Sequence, residues 1–261
     1  MLEDLSAKVW NIYEQEHGDS HVVQGVMPIL FFGDSEMYMR SKCKVVTVAL
    51  NPSDKEFPFS SLQRFPKMDR VISTTLGNNP AAYIGALNDY FEEDPYSTWF
   101  GSYEQLLNGM GYTYNRSSLG TLSTNGRRIA DVALHTDFCS PLATCPTWDK
   151  LPQLTQSRLM SAGEPLWRQL IDTLAPDIVV ASMKSEYVEQ MTGKNVSSGW
   201  QTICEYSEGR STPYTVRMTK MRTASRHLVH VVFGQAAQTP FGTLNNPLKQ
   251  DAGKQIFYAC T

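Results

Sequence analysis

Three polar, proline-containing segments carry the most chemically useful side chains of this sequence. They are residues 51–59, 135–142 and 234–242, and each directly follows an apolar run. Ligands of parallel α/β sheets bind beyond the carboxyl ends of the strands, so we expect the three segments to converge at one edge of a sheet. Taken alone, each segment also fits an ordinary turn, because Asn, Pro and Gly favour turns for geometric reasons.

The apolar runs predict the strands that position these segments. Each run is short, β-branched and nearly continuous, which is typical of strands buried on both faces of a parallel sheet. The predicted strands are residues 44–50, 129–134, 177–181 and 227–233. Helical spacing predicts helices within residues 80–109, 163–174 and 182–192, and residues 202–218 offer an extra strand or hairpin. The alternation predicts a single α/β domain over residues 1–261 with a mainly parallel sheet.

Composition excludes several classes of protein. The 261 residues include 23 basic and 26 acidic ones, a formal charge of −3, which excludes a globally basic nucleic-acid binder but not a local basic face. No apolar run is long enough to span a bilayer, and the first residues are acidic where a signal peptide is positive, so we expect a cytoplasmic protein without membrane partners. The five cysteines are widely scattered and form no C-x-x-C pair. We therefore expect neither a disulfide framework nor a metal site.

Together the three segments resemble the uracil-DNA glycosylase superfamily. The strand ending in A-L-N-P-S is similar to its water-activating motif, in the G-x-N-P form of the mismatch-specific and single-strand-selective branches. The run L-H-T-D-F-C-S-P-L resembles the H-N-x-C-P-L stretch of the single-strand-selective branch, and residues 234–242 take the place of the H-P-S-P loop. The resemblance implies a three-layer αβα sandwich around a central, mainly parallel four-stranded sheet. It also implies that a flipped nucleotide is hydrolysed at its N-glycosidic bond without a cofactor.

The resemblance assigns catalytic roles within the first segment. Asn51 would hold the attacking water, because a strongly electrophilic sugar cation needs its nucleophile positioned more than deprotonated. Asp54 is a candidate acid–base partner, with capping of the turn as the alternative. Phe57 falls where the family places an aromatic platform for the flipped base, and a core phenylalanine is the alternative.

Departures from the family pattern point to the base. His135 and Asp137 replace the family's base-reading asparagine, and the sequence leaves open which of them faces the pocket. An ionised aspartate only accepts hydrogen bonds, so Asp137 suits the exocyclic amino group of a cytosine-type base better than a uracil carbonyl. Ser53 stands where the uracil-specific branch has a bulky tyrosine that blocks 5-substituents. Both departures favour a modified pyrimidine, in particular a modified cytosine.

The last segment departs most from the family. Gln235 stands near the place of the leaving-group histidine, and it can donate a hydrogen bond to a departing base but carries no charge. Gln238, Pro240 and Phe241 are candidates for the wedge that fills the gap in the duplex, with a buried anchor as the alternative for Phe241. This loss of the histidine leaves an inactive, binding-only protein open.

Basic residues before two of the predicted strands indicate contact with DNA. The group before the last strand has no intervening acid, and the other group precedes the second strand. They are Arg217, Lys220, Arg222 and Arg226, and Arg127 and Arg128. Phosphate contacts from such residues would make binding sensitive to salt. A solvated basic face is the alternative.

The sequence therefore predicts a monomeric, metal-independent and monofunctional DNA glycosylase. It would excise uracil or, in preference, a 5-modified pyrimidine and leave an abasic site, in repair or in defence against phages with modified DNA. A catalytically inactive DNA- or protein-binding module of the same fold is the first alternative. A nucleotide or small-molecule hydrolase on a generic α/β sheet is the second, although the chain has neither a G-x-x-x-x-G-K-[ST] nor a G-x-S-x-G motif.

Overall fold

The structure, a computed structural model, describes residues 1–57, 78–92, 94–193, 196 and 198–261. It is an α/β fold whose central sheet has six strands and is mostly parallel. The helices are α1 (Leu2–Glu16), α2 (Ser35–Arg40), α3 (Pro80–Asp89), α4 (Ser97–Met110), α5 (Gln153–Leu174), α6 (Ser185–Thr192) and α7 (Asn246–Cys260). The strands are β1 (Val45–Ala49), β2 (Tyr112–Thr113), β3 (Asp131–Val132), β4 (Leu134–Asp137), β5 (Ile178–Ala181), β6 (Gln201–Tyr206), β7 (Tyr214–Arg222) and β8 (Leu228–Gly234).

The main sheet has the strand order β4-β1-β5-β8-β7-β6. Strand β5 pairs in parallel with β1 and β8, whereas β7 and β6 continue the sheet in antiparallel pairs. The prediction of a four-stranded central sheet is therefore wrong, because this sheet has six strands. The extra pair is the hairpin expected within residues 202–218, and its outer strand β6 has no buried residue and lacks a continuous apolar run.

Three of the predicted strands are confirmed as β1, β5 and β8. Every residue of β1 and β5 is buried, so no alternation of apolar and polar residues is needed along them. Each fully buried valine or isoleucine contributes roughly 1.5–3 kcal/mol of apolar transfer free energy. These strands therefore form the core of the sheet that positions the segments following them.

The predicted strand at residues 129–134 is wrong in its boundaries. Strand β3 pairs with β2 in a separate two-stranded sheet, and the main-sheet strand β4 runs from Leu134 to Asp137. The polar residues taken for a loop thus lie inside a buried strand. The burial is possible because partners from elsewhere in the chain satisfy them, as the Trp167 indole does by donating to Thr136 Oγ1 at 3.0 Å.

Two of the helices begin at a side-chain cap. Asn79 Oδ1 accepts from the amide of Ala82 at 3.0 Å at the start of α3, and Asn245 Oδ1 accepts from Leu248 at 3.0 Å at the start of α7. Helix α7 was not expected from the apolar pattern, and α5 begins at Gln153, ahead of the predicted start at residue 163.

The chain divides into two compact units, each assembled from three stretches. The first unit holds residues 1–34, 49–96 and 135–174, and the second holds residues 35–48, 97–134 and 175–261. In the first unit, α1 packs against α3 and α5. In the second, α4 and α7 cross at Gly109 and Gly253, where a Cβ atom would lie 2.0 Å from a backbone oxygen of the opposite helix. Over the described residues, no helix has both the length and the apolar character that crossing a membrane requires.

Candidate functional site

The amide of Asn51 is held in a fixed orientation within the first unit. Its Nδ2 donates to the carbonyl of Pro52 at 2.6 Å, the carbonyl of Leu142 at 3.2 Å and the hydroxyl of Thr144 at 2.9 Å. Because carbonyl oxygens only accept hydrogen bonds, the nitrogen must be the atom on this side of the amide. Asn51 Oδ1 has no hydrogen-bond partner in the described part of the chain. A half-buried oxygen placed in this way can accept a hydrogen bond from a bound water.

The loop after Asn51 is locked onto the segment around Thr144. Ser53 forms a parallel bridge with Thr144, and the amide of Asp54 donates to the Thr144 carbonyl at 3.0 Å. The Ser53 carbonyl then accepts from the amides of Glu56 at 3.1 Å and Phe57 at 3.0 Å, which closes a tight turn. The backbone of the candidate site is thus determined by pairing between two distant segments. The last two residues of the segment 51–59 lie outside the described residues.

The carboxylate of Asp54 does not cap the turn. Its Oδ2 accepts from the Cys145 thiol at 3.4 Å, and its Oδ1 is buried without a hydrogen-bond partner among the described residues. The hydrogen bond to this carboxylate is the main reason that the pKa of Cys145 is raised, with burial second. The capping alternative for Asp54 is therefore wrong.

Phe57 and Glu56 lie inside the core. Phe57 is 2% exposed, as expected for a core phenylalanine, and a stacking platform would require one face of its ring to become accessible. The Glu56 side chain is buried as well and accepts from the Tyr90 hydroxyl at 2.5 Å. The same Tyr90 oxygen accepts from the amide of Tyr96 at 3.1 Å. A buried carboxylate beside the candidate loop thus has a well-defined partner.

His135 and Asp137 lie two residues apart on β4 and therefore on the same face of the strand. Both side chains are buried, and His135 Nε2 lies 3.7 Å from Asp137 Oδ1. The ring of Phe32 lies 5.9 Å from that of His135, between centroids. Thr136, which binds Trp167, occupies the opposite face. Both candidates for base reading thus point to one side, and they lie within β4 rather than after it.

The last loop, in the second unit, is divided between exposed and buried residues. Gln235 and Gln238 are exposed, whereas Pro240 and Phe241 are buried. Ser182 closes the loop, because its Oγ donates to the carbonyl of Gly234 at 2.8 Å and accepts from the amide of Phe241 at 3.0 Å. Both glutamines therefore lie at the surface of a loop that the hydrogen bonds of Ser182 hold in place.

Phe241 is an anchor of this loop. It is 0% exposed, and its ring lies 6.4 Å from that of Tyr103 and 6.3 Å from that of Tyr214, between centroids. Its φ of 51° is unusual for a bulky residue, and this packing holds the backbone there. Inserting the ring into a duplex would require it to leave the core, so the wedge role for Phe241 and for the buried Pro240 is wrong, and Gln238 is the exposed candidate.

The basic residues expected to contact DNA do not form one surface. In the register of β7 against β8, Arg217 lies opposite Phe233 near the carboxyl end of β8, and Arg222 lies opposite Leu228 at its amino end. At about 3.4 Å per residue, these positions are roughly 17 Å apart. Strand alternation also places Lys220 with Arg222 on the face opposite to that of Arg217.

Arg217 and Arg226 also differ in their surroundings. The Arg217 guanidinium lies 5.5 Å from the ring centroid of Trp200 and 5.4 Å from that of Phe233, so it packs against aromatic rings. Arg226 is exposed in the turn between β7 and β8, at a φ of 67°. These four residues therefore do not form one continuous basic surface.

Residues that sequence reasoning missed complete the site in the first unit. Thr144 and Cys145 contact Asn51 and Asp54 across about 90 residues of sequence, and no spacing pattern could reveal such a pair. The sequence could have indicated Glu56 as a site residue, because it is a carboxylate within the same segment as Asn51. Its burial and its tyrosine partner are visible only in the fold.

No protein-family model matches the sequence, and a search of curated proteins finds no match either. The function therefore has to be inferred from the chain's own residues and their geometry.

Proposed function

We propose that this protein is a monofunctional DNA glycosylase that hydrolyses the N-glycosidic bond of a flipped pyrimidine nucleotide. The observation that carries the proposal is the amide of Asn51, whose nitrogen is engaged by three acceptors while its oxygen has no partner in the described chain. This arrangement suits the positioning of a water for attack on a sugar cation. Such positioning supplies a large part of the rate when the electrophile is strong.

The proposed reaction uses two groups of the first unit. The bond between C1′ and the base nitrogen breaks with its electron pair leaving on the base, and the oxygen of the water held by Asn51 bonds to C1′. The proton released by the water passes to the unpartnered carboxylate oxygen of Asp54. The products are a free base and an abasic site. No group of the chain becomes covalently attached, which is what monofunctional means here.

The proposed substrate is a 5-modified pyrimidine, with modified cytosine preferred over uracil. Asp137 and His135 supply an acceptor and an imidazole on one face of β4, and these match an exocyclic amino group and a ring carbonyl. Ser53 is small and half-exposed, which leaves room for a 5-substituent. Excision of such bases would serve repair or defence against phages with modified DNA.

The finer structural expectations belong to the same proposal. We propose that the α/β fold is the three-layer αβα arrangement of the uracil-DNA glycosylases, with the β6–β7 hairpin as an addition. The protein would act as a monomer in the cytoplasm and without a cofactor. Gln235 is exposed in the loop that follows β8.

The test is base release from a panel of oligonucleotides that carry uracil, cytosine and 5-modified pyrimidines, detected as strand breakage after alkali. Wild-type protein should release at least one base, and Asn51→Ala should reduce the rate about 100-fold or more, since misplacing a reactant by 1 Å has an effect of this size. Asn11→Ala, at an exposed position of α1, is the matched control and should be unchanged. Asp54→Asn keeps the shape of the side chain and should also lower the rate. Equal rates in all four proteins would refute the proposed roles.

A binding module without activity is the second candidate. It is favoured by the uncharged Gln235 in place of a histidine. It predicts that wild-type protein binds DNA and releases no base from any member of the panel.

A further inference from the structure

A hairpin in the second unit lies within an unusually basic stretch. Residues 105–130 contain three arginines and no acidic residue. Within them, residues 120–129 form a hairpin: the amide of Gly120 donates to the Ile129 carbonyl at 2.9 Å, and the amide of Ile129 donates to the Thr121 carbonyl at 3.0 Å. A bridge between Leu122 and Arg128 continues the pairing. This hairpin therefore presents side chains in fixed positions.

The hairpin is docked on the C-terminal helix α7. The Thr124 hydroxyl near its tip donates to the Gln250 side chain. The Arg127 guanidinium carbon lies 3.9 Å from the centroid of the Phe257 ring and 5.8 Å from that of Tyr258. Such cation–π contacts hold a planar cation flat against aromatic rings. Hairpin and helix together thus form one surface, which we call the hairpin–helix surface.

Beyond the cation–π contacts of Arg127, the cations of this surface are not paired with any acidic residue of the described chain. The guanidinium groups of Arg127 and Arg128 and the ammonium of Lys254 make no hydrogen bond or ion pair with any residue in the described part of the chain. Arg128 and Lys254 are exposed, and Tyr258 is 63% exposed with its hydroxyl equally without a partner. Lys254 lies one helical turn before Tyr258 on α7, and the Arg127 guanidinium lies against the Tyr258 ring. Two cations without an acidic partner in the described part of the chain, beside an exposed aromatic ring, are well suited to bind an anionic ligand that also has flat apolar faces.

We propose that the hairpin–helix surface binds single-stranded nucleic acid. Phosphates would be bound by Arg127, Arg128 and Lys254, and a base would stack on Tyr258. Exposed aromatic rings next to basic side chains are the standard means of binding single strands without base specificity. An acidic peptide would satisfy the charges but would leave the ring unused, so nucleic acid is the better match.

The proposal rests on the proposed function, which needs DNA to be held while a nucleotide is flipped. It also assigns DNA contact to residues other than Arg217, Lys220, Arg222 and Arg226. The sequence placed Arg127 and Arg128 among the basic residues that precede a strand. Only the fold brings Arg127 together with Tyr258, from a helix more than a hundred residues away.

The test measures the affinity of full-length protein for a fluorescent oligo(dT) by anisotropy at several salt concentrations. Tyr258→Ala should weaken binding about 10-fold, within the range known for loss of one stacked base. The double variant Arg128→Gln, Lys254→Gln should lower the slope of log K against log salt by about 1.4, because each single-strand phosphate contact contributes roughly 0.7. Both changes are at exposed positions, so the fold should be retained.

Two exposed positions of the first unit provide matched controls. Leu154→Ala removes an apolar side chain that is 81% exposed, and Lys150→Gln removes one exposed charge. Neither should change the affinity. Failure of wild-type protein to bind oligo(dT), or unchanged affinity in both Tyr258→Ala and the double variant, would overturn the proposal. Equally effective displacement of the oligonucleotide by polyglutamate would assign the surface to acidic peptides instead.

The two proposals fail in different ways. If the variants release base from single strands as fast as wild type and bind the strands as tightly, the proposed role of the hairpin–helix surface is wrong, whereas the proposed glycosylase activity stands. If they weaken binding but wild-type protein releases no base, the surface is right and the glycosylase is wrong.

Discussion

A single methyl group at Gly163 should disrupt the packing behind the candidate site. Gly163 lies in α5, and a Cβ atom there would lie 2.2 Å from the carbonyl oxygen of Cys139 and 2.8 Å from Cα of Ser140. Since ordinary contacts of a Cβ begin at 3.4 Å, the helix and this backbone would have to separate by about 1 Å. Cys139 and Ser140 directly follow β4, so the displacement acts on the strand that carries His135 and Asp137.

The magnitude follows from what has to move. Overpacking in a core costs about 1–3 kcal/mol, and occasionally more. The obstructing atoms at Gly163 are backbone, which cannot change rotamer, so we expect a loss of about 3 kcal/mol in the free energy of unfolding of Gly163→Ala. For a chain of this size, each kcal/mol corresponds to roughly 2–4 °C, which gives a fall in Tm of about 6–12 °C.

Gly85 is the matched control, because it lies within helix α3 of the same unit and a Cβ there would meet nothing within 4 Å. Alanine is preferred over glycine in a helix interior by about 1 kcal/mol, so Gly85→Ala should stabilise the protein slightly. The assay is urea unfolding followed by far-UV circular dichroism. If the free energies of unfolding of Gly163→Ala and Gly85→Ala differ by less than 1 kcal/mol, the close packing of α5 on the segment after β4 is refuted.

Two further changes test the second unit. Burial lowers the pKa of Lys249, whose Nζ lies 2.6 Å from Ser102 Oγ, so the unfolded chain binds more protons between this lowered pKa and 10.5. The free energy of unfolding should therefore rise with pH in that window. Urea midpoints measured across the window should show that this rise vanishes in Lys249→Met and persists in Lys254→Met. Identical dependence of the midpoint on pH in the two variants would contradict the prediction. Phe241→Ala should lower the free energy of unfolding in urea by about 3–5 kcal/mol, because it leaves a cavity between two tyrosine rings. Phe241→Leu should lower it much less. A loss below 1 kcal/mol for Phe241→Ala would show that the ring is not an anchor.

The strands at the centre of the sheet could be predicted from the sequence because their chemistry is local. An apolar run such as that of β1 is buried on both faces and needs no partner beyond its neighbours in the sheet. Strand β4 could not be predicted in the same way. His135, Thr136 and Asp137 look like loop residues, and they can be buried only because Phe32 and Trp167 pack against them.

The basic cluster of β7 shows a second limit of sequence reasoning. Arg217, Lys220 and Arg222 lie within six residues, which suggests one patch. In a strand, however, residues an odd number of positions apart lie on opposite faces, so the cluster separates as soon as the segment is known to be β7. The reverse holds for Arg127 and Tyr258, which are distant in sequence and meet in the fold.

The chemistry proposed for Asn51 depends on residues that the N-P-S motif does not contain. An asparagine after a strand can present either its oxygen or its nitrogen, and only the oxygen can accept a hydrogen bond from a nucleophilic water. Here the carbonyl of Leu142 and the hydroxyl of Thr144 bind the nitrogen and thereby determine which atom remains free. The same Thr144 holds the amide of Asp54, so one buried residue sets both the orientation of the amide and the position of the neighbouring carboxylate. A motif of this kind therefore indicates hydrolysis only when the segment that faces it supplies acceptors, and in this chain residues 142–144 do so.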